Sequence, residues 1–377
     1  MADAGKRGAS VGGVAGNVAG MSEAQRVEAL ATLAHDGDPR VRKSVAIALG
    51  RLGVPDATPA LCELLADADE GVRVLACQAL GRVADPASVP ALLERVHDES
   101  VEVRSGVLFA LASVVAHGSV SDEVRASLFT PMVVMAFDPD DGVRADAAAT
   151  LGALRDGRAV EPLALLAEDA CAQVRANACA SLGLADEAAA LPVLLERAED
   201  GAEEPLVRIA ALDGLARRAE RGSLPAEVPE AVRVVALACA LAEGADCGTG
   251  ACGDGSPANG ASDPSADAGV CTSDGMAADA VACEEETPTA KDLRATAVWA
   301  LGLLPAGGAR IEVQRALESA LSCEDVWCQR YAIEALARIG DDAARAALRA
   351  LDARRAAGDR ALAPEAAEVL RQALALA

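Results

Sequence analysis

Large rings are scarce in this chain, with two Trp, one Tyr and three Phe among 377 residues. An interior built without them must be filled by Ala, Leu and Val, which suits closely packed helices and leaves no expectation of strands. Positive charge is scarce too. Against 58 acidic residues stand 34 basic ones, three of them lysines, for a net charge of −24. That balance opposes phosphate backbones and anionic lipid, so nucleic acid and membrane are excluded as partners and a basic protein or peptide is favoured. No apolar run approaches the ~20 residues of a membrane helix, and the amino terminus carries no continuous hydrophobic segment, so a cytoplasmic protein is expected. Also missing are a Gly-rich phosphate loop, a Gly-x-Ser-x-Gly elbow and a His-Glu-x-x-His motif. The sequence thus offers no catalytic residue and no cofactor.

What the chain does have is a repeat. The arginine of a Val-Arg pair stands at Arg42, Arg73 and Arg104, at intervals of 31 residues, and recurs at Arg144, Arg175 and Arg208. Seven residues after each comes a leucine (Leu49, Leu80, Leu111, Leu151, Leu182, Leu215), followed every time by Gly or Ala. Such self-similarity marks a stack of two-helix units. The first helix of a unit often carries an early proline, as at Pro59, Pro90, Pro162 and Pro192, where proline is tolerated. Asp38, Asp69 and Asp140 precede their arginines by four residues, placed to cap the second helix and favour its dipole.

Organisation follows from where this rhythm starts, stretches and breaks. Residues 1–20, rich in Gly, Ala and Ser, read as a disordered tail, with Ser22 as N-cap of the first helix. The fourth unit is longer, and its extra residues, near Ser121 to Thr130, fit an additional helical segment. The repeats occupy 21–243. Residues 244–290 read as a disordered acidic insertion containing Cys247, Cys252, Cys271 and Cys283. Repeats resume over 291–342, with Arg294 in the arginine register and Gln329 replacing it in the last unit, and 343–377 reads as a polar helical cap.

Segments such as Pro59-Ala-Leu-Cys-Glu-Leu-Leu-Ala-Asp-Ala-Asp-Glu-Gly-Val-Arg, then Ala79-Leu-Gly-Arg, resemble HEAT repeats of the phycobilisome-lyase-like type. The resemblance implies an all-α, α-α superhelix, a HEAT-like solenoid of about eight helical hairpins plus a cap. It also implies a family that includes scaffolds, chromophore lyases and an iron-dependent hydroxylase, in which His-Glu pairs hold iron. The chain contains no His-Glu pair.

Counting each second helix from its arginine as position zero, positions −1, +3, +4 and +7 hold small or branched apolar residues and form one buried stripe. Positions +1, +2 and +5 lie opposite and vary from copy to copy. In HEAT-like solenoids the second helices line the concave surface, so the resemblance implies that these mixed residues face a groove. Lys43, Ile47, Gln78, Phe109, Asp146, Asn177, Asp213, Trp299, Tyr331 and Glu334 are therefore candidate partner contacts, the aromatics as anchors. Trp299 and Tyr331 can instead pack under the insertion or cap, and Phe109 can touch the longer fourth unit. The position-zero arginines 42, 73, 104, 144, 175, 208 and 294 sit where they can reach an acidic residue of the next repeat, as a structural ladder.

Metal and thiol chemistry find little support. His35 and His97 share a register two repeats apart, too far for one metal whose ligands lie ~2 Å away. Cys77 and Cys179 at +4, and Cys328 at −1, behave as small apolar residues. The four insertion cysteines would suffice for a zinc or redox site, but no Cys-x-x-Cys is present. The sequence reads as a non-enzymatic interaction scaffold. The alternatives are a lyase-like or oxidoreductase-like maturation enzyme, or a metal- or redox-responsive adaptor.

Overall fold

A computed structural model describes residues 22–117, 120–222, 224, 233, 236, 289–304, 310–323, 325–358 and 362–376. Nearly the whole of the expected tail (1–20) and insertion (244–290), with its four cysteines, lies outside them. Among the described residues every regular element is helical, and no helix is long and apolar enough to cross a membrane. The chain divides into two units, residues 1–154 and 155–377.

In the first unit the hairpins are α1 (Glu23–Leu33) with α2 (Pro39–Leu52), α3 (Thr58–Leu64) with α4 (Glu70–Val83), α5 (Val89–Leu93) with α6 (Val101–His117), and α7 (Asp122–Met135) with α8 (Asp141–Leu154). Ser22 closes a capping box with Gln25 at the head of α1. Asp38, Asp69 and Asp140 accept backbone amides at the start of α2, α4 and α8, as their spacing predicts. Short 3₁₀ turns, Pro55–Ala57 and Pro86–Ser88, lead into α3 and α5. The extra residues of the fourth repeat lengthen its first helix: α7 runs 14 residues where α3 has 7, and Pro131 falls inside it.

The second unit contains α9 (Val160–Leu166), α10 (Ala172–Leu184), α11 (Ala190–Glu199), α12 (Pro205–Glu220), α13 (Ala290–Leu303), α14 (Arg310–Ala320), α15 (Val326–Ile339), α16 (Asp342–Ala356) and α17 (Pro364–Leu376). Although 86 residues separate Arg208 from Arg294 in sequence, α12 and α13 pack directly on one another, so the stack resumes in register beyond the insertion. The terminal segment adds α16 and α17, and α17 packs on α15.

Within each unit, successive second helices pack side by side: α2, α4, α6 and α8 in the first, α10, α12, α13, α15 and α17 in the second. The leucines at +7 form the seam. Leu49, Leu80, Leu111, Leu151, Leu182, Leu215 and Leu336 are fully buried, and Leu301 nearly so. The +3 and +4 residues are buried in all eight helices, as one apolar stripe per helix requires. The small residue after the leucine has a packing reason. A Cβ built on Gly50 would lie 2.8 Å from the Ala79 Cβ, and one on Gly302 the same distance from that of Ala335. Position +8 of one helix thus meets position +6 of the next.

Candidate functional site

Two side-chain systems run across the second helices, and they divide what holds the stack from what is left to bind. The first is the arginine ladder. Five of the position-zero arginines donate Nη1 to the carbonyl six residues back, at the turn of their own hairpin: Arg42 to Asp36 (2.8 Å), Arg73 to Asp67 (3.1 Å), Arg104 to Asp98 (3.0 Å), Arg144 to Asp138 (3.0 Å) and Arg175 to Asp169 (2.7 Å). Gln329 keeps this bond, its Nε2 donating to the Cys323 carbonyl at 2.5 Å. The rest of the guanidinium reaches the next turn. Arg42 grips Asp67 through Nε and Nη2 at 2.5 and 2.7 Å, and Arg104 grips Asp138 at 2.8 Å through both nitrogens. Arg73 reaches Asp98 at 2.9 Å, and Arg175 binds Glu203 and Glu204. The same aspartates therefore supply a carboxylate to one rung and a carbonyl to the next.

One rung departs from the expected ladder among the described residues. Arg294 donates to the Ser319 hydroxyl at 3.1 Å, and the turn position that Asp67, Asp98 and Asp138 hold in earlier repeats is filled by Cys323. Arg208 donates to the Ala198 carbonyl at 3.2 Å, in its own hairpin.

Three ladder carboxyls, Asp67, Asp138 and Glu203, are shifted to low pKa. For Asp67 the Arg42 hydrogen bond dominates; for Asp138 and Glu203 burial pulls upward, but Arg104, Arg175 and neighbouring backbone amides outweigh it. A carboxyl depressed on folding contributes stability above its unfolded pKa, ~4, and that stability is lost as pH falls through the lower folded value. We expect the midpoint of urea unfolding to be steady from pH 7 to about 5 and to fall steeply below about 4. A midpoint unchanged at pH 3 would contradict an ionised ladder.

The second system is the mixed face. In the first unit Ile47, Leu75, Gln78, Phe109, Asp146 and Ala149 are all half-exposed, between helices whose −1, +3, +4 and +7 positions are almost all closed. Lys43, also half-exposed, pairs with Asp69 at 2.9 Å. The Phe109 ring lies against Gly81 of the preceding second helix, where +5 leans back over the small +8 position behind it. Burial pushes the Asp146 carboxyl up, partly offset by a hydrogen bond from Ser105.

In the second unit Asn177 accepts from Gln173 at 2.9 Å, and Asp213 accepts from Arg217 at 2.8 Å. Asp213 Oδ1 is buried without a hydrogen bond, and burial raises the carboxyl despite Arg217. Trp299 and Tyr331 do not join this face as anchors, being only 8% and 1% exposed. Every position from Ala295 to Gly302 of α13 is buried, which encloses Trp299 on the side the register leaves open elsewhere. Tyr331 is covered in part by Trp327, stacked on it at 5.9 Å between ring centroids. Trp327 itself is half-exposed, and Arg330 lies 5.2 Å above its ring while also bonding Glu334 at 3.0 Å. Register comparison passed over Trp327, which stands at −2; its spacing of three and four residues from Arg330 and Tyr331 is the signal that could have found it.

The described histidines and cysteines form no metal site. His35 lies 3.4 Å from Glu63, and no group of three or more His, Cys, Asp or Glu among the described residues is arranged to hold a metal. Burial pushes the Cys77 and Cys179 thiols up to about 12, keeping them protonated and unreactive.

Known proteins match this architecture at the level of the repeat. A model of HEAT repeats matches residues 7–73, 27–112, 58–129, 130–216 and 160–232, and a PBS lyase HEAT-like repeat matches 329–354. No curated protein matches the chain. Among solved structures, an engineered protein aligns over 93% of this chain and 88% of its own, at 18% identity and a TM-score of 0.46. A second engineered protein covers 51% of this chain and 96% of its own, at 20% identity and a TM-score of 0.41. A computationally designed armadillo repeat protein for modular peptide recognition covers 51% and 99%, at 22% identity and a TM-score of 0.39. With the family repeat matched continuously from residue 7 to residue 232, more than half of its length, the chain belongs to the HEAT-repeat proteins.

Proposed function

We propose that this chain is a non-enzymatic scaffold that binds a peptide or protein segment along the mixed face of its second helices. The observation that carries the reading is the contrast between registers. Positions +3, +4 and +7 are closed in every second helix, whereas +2 and +5 of α4, α6 and α8 hold Leu75, Gln78, Phe109 and Asp146, half-open and different in each copy. Packing does not dictate those residues, and stacked repeats use such extended surfaces for binding. A half-buried carboxylate such as Asp146 or Asp213, raised by burial, gains from an incoming cation. The partner is accordingly a basic segment with an apolar residue to set against Phe109, met in the cytoplasm.

Selection from a random peptide library displayed on phage tests this. Enrichment of sequences combining Lys or Arg with a large apolar residue is expected, and the paired change Phe109→Ala with Asp146→Asn should weaken the selected peptides by about 30-fold or more, the scale of a hot-spot loss. Selected peptides that bind the double variant as well as the parent would overturn the proposal.

A further inference from the structure

We infer that Cys323 and Cys328 form a reversible disulfide that staples the turn between α14 and α15 to the first turn of α15. The position six residues before register zero is Asp36, Asp67, Asp98, Asp138 or Asp169 in five earlier repeats, and a valine stands at −1 in the same five. Around Gln329 both positions change together, to Cys323 and Cys328. The fold brings these two replacements into contact, the Cys323 side chain being hydrogen-bonded to that of Cys328. Other bonds hold the two backbones in place. The Cys323 amide donates to the Ala320 carbonyl at 3.0 Å, the Cys323 carbonyl accepts from Gln329 Nε2 at 2.5 Å, and the Cys328 amide donates to Asp325 Oδ1 at 2.7 Å. With both backbones fixed and the sulfurs already together, closing the ring costs little further entropy.

The rung that this pair replaces is incomplete on its other side as well. Arg294 Nε, the nitrogen with which Arg42 and Arg104 grip Asp67 and Asp138, is buried without a hydrogen-bond partner among the described residues. The turn thus lacks the carboxylate tie of the earlier repeats, and a bridge to Cys328 gives it a covalent one. Exposure sets the order of events. Cys323 is 8% exposed and Cys328 fully buried, so Cys323 is the sulfur that meets an oxidant. With a small disulfide such as oxidised glutathione, the Cys323 thiolate attacks one reagent sulfur and expels one glutathione thiolate, leaving a mixed disulfide. Cys328 then attacks Cys323 Sγ and expels the second. Two protein thiols become one disulfide, the reagent is reduced to two thiols, and the protons lost by the cysteines pass to the released thiolates. Burial pushes the Cys328 thiol up, reinforced by Cys323 and Asp325 and opposed by Arg294, which makes ring closure the slow step. The bridge is independent of the binding role of Phe109 and Asp146.

Tryptic mapping of the full chain after equilibration in glutathione buffers tests the pair, because the peptide 316–330 contains both cysteines and no other. At oxidising ratios this peptide should lose two hydrogens and take up no alkylating group. The equilibrium constant for the bridge should be at least about tenfold larger in the folded chain than in urea. By linkage, the amides of α15 should exchange with solvent at least about tenfold more slowly in the bridged protein. Cys328→Ser should stop at a glutathione adduct on Cys323 and show no such slowing. A doubly alkylated peptide at every ratio, a persistent adduct on the parent, or a link from either cysteine to a different one would overturn the inference. Equal constants in the folded and unfolded chain, or unchanged exchange in α15, would overturn it equally, and these parent measurements decide even if Cys328→Ser does not fold.

Discussion

Arg104→Ala should lower the free energy of unfolding at pH 7 by about 3 kcal/mol, the scale for breaking one side of a buried pair. Both partners are closed from water, with the Arg104 and Asp138 side chains each 10% exposed. Truncation leaves Asp138 charged without its two guanidinium bonds and frees the Asp98 and Glu99 carbonyls that Nη1 holds at 3.0 and 3.4 Å. Unpaired buried groups cost more than the intact pair contributes, so the single variant should suffer more than the doubly apolar Arg104→Met with Asp138→Leu. A double-mutant cycle in urea should return a coupling above about 1 kcal/mol. The exposed pair of Arg158 with Asp156, in which the arginine is 57% open, should return well under about 1 kcal/mol by the same measurement. Equal, small effects at both places would show that the ladder is decoration.

The difference between these two pairs was legible in the sequence for Arg104 because its position repeats. A 31-residue interval, a leucine seven places on and an aspartate at the preceding turn specify helix, seam and rung together, and they place the buried stripe residue by residue. What periodicity does not carry is how a particular neighbour closes over a register. Trp299 and Glu334 share +5, yet Trp299 is buried and Glu334 half-exposed, because α13 is closed at every position from Ala295 to Gly302 and α15 is not. The Phe109 ring turns toward Gly81 for a similar reason: an absent side chain on the preceding helix makes room that a single register, read alone, does not reveal. The rung at Arg294 turns to Ser319, and the next turn holds Cys323 where earlier repeats hold an aspartate, a departure that only register-by-register counting of the turns would reveal.

Small residues after the leucine were visible in every copy, but their purpose is a contact between repeats, and it gives the second large expected effect. Gly183→Ala should destabilise the protein by about 2–3 kcal/mol, the range for forcing extra volume into a close-packed contact. A Cβ there would lie 2.4 Å from the Gly214 Cα and 3.3 Å from its carbonyl carbon, so it meets backbone that cannot swing away. α10 and α12 would have to separate, opening the seam that Leu182 and Leu215 fill. Ordinary helix propensity predicts the opposite sign, since Ala in place of Gly within a helix is worth up to about 1 kcal/mol. Gly71→Ala in α4 provides that comparison. Its new methyl would meet the far end of Lys43, which can move aside, and the Asp69 carboxylate at 3.2 Å, which needs to give by only a few tenths of an ångström, so a neutral result or a gain of about 0.5 kcal/mol is expected. Thermal melting of the two variants beside the parent should move in opposite directions or leave only Gly183→Ala shifted. If Gly183→Ala melts at or above the parent temperature, the tight +8 to +6 contact does not set the helix spacing, and the rule drawn from Gly50, Gly183 and Gly302 fails with it.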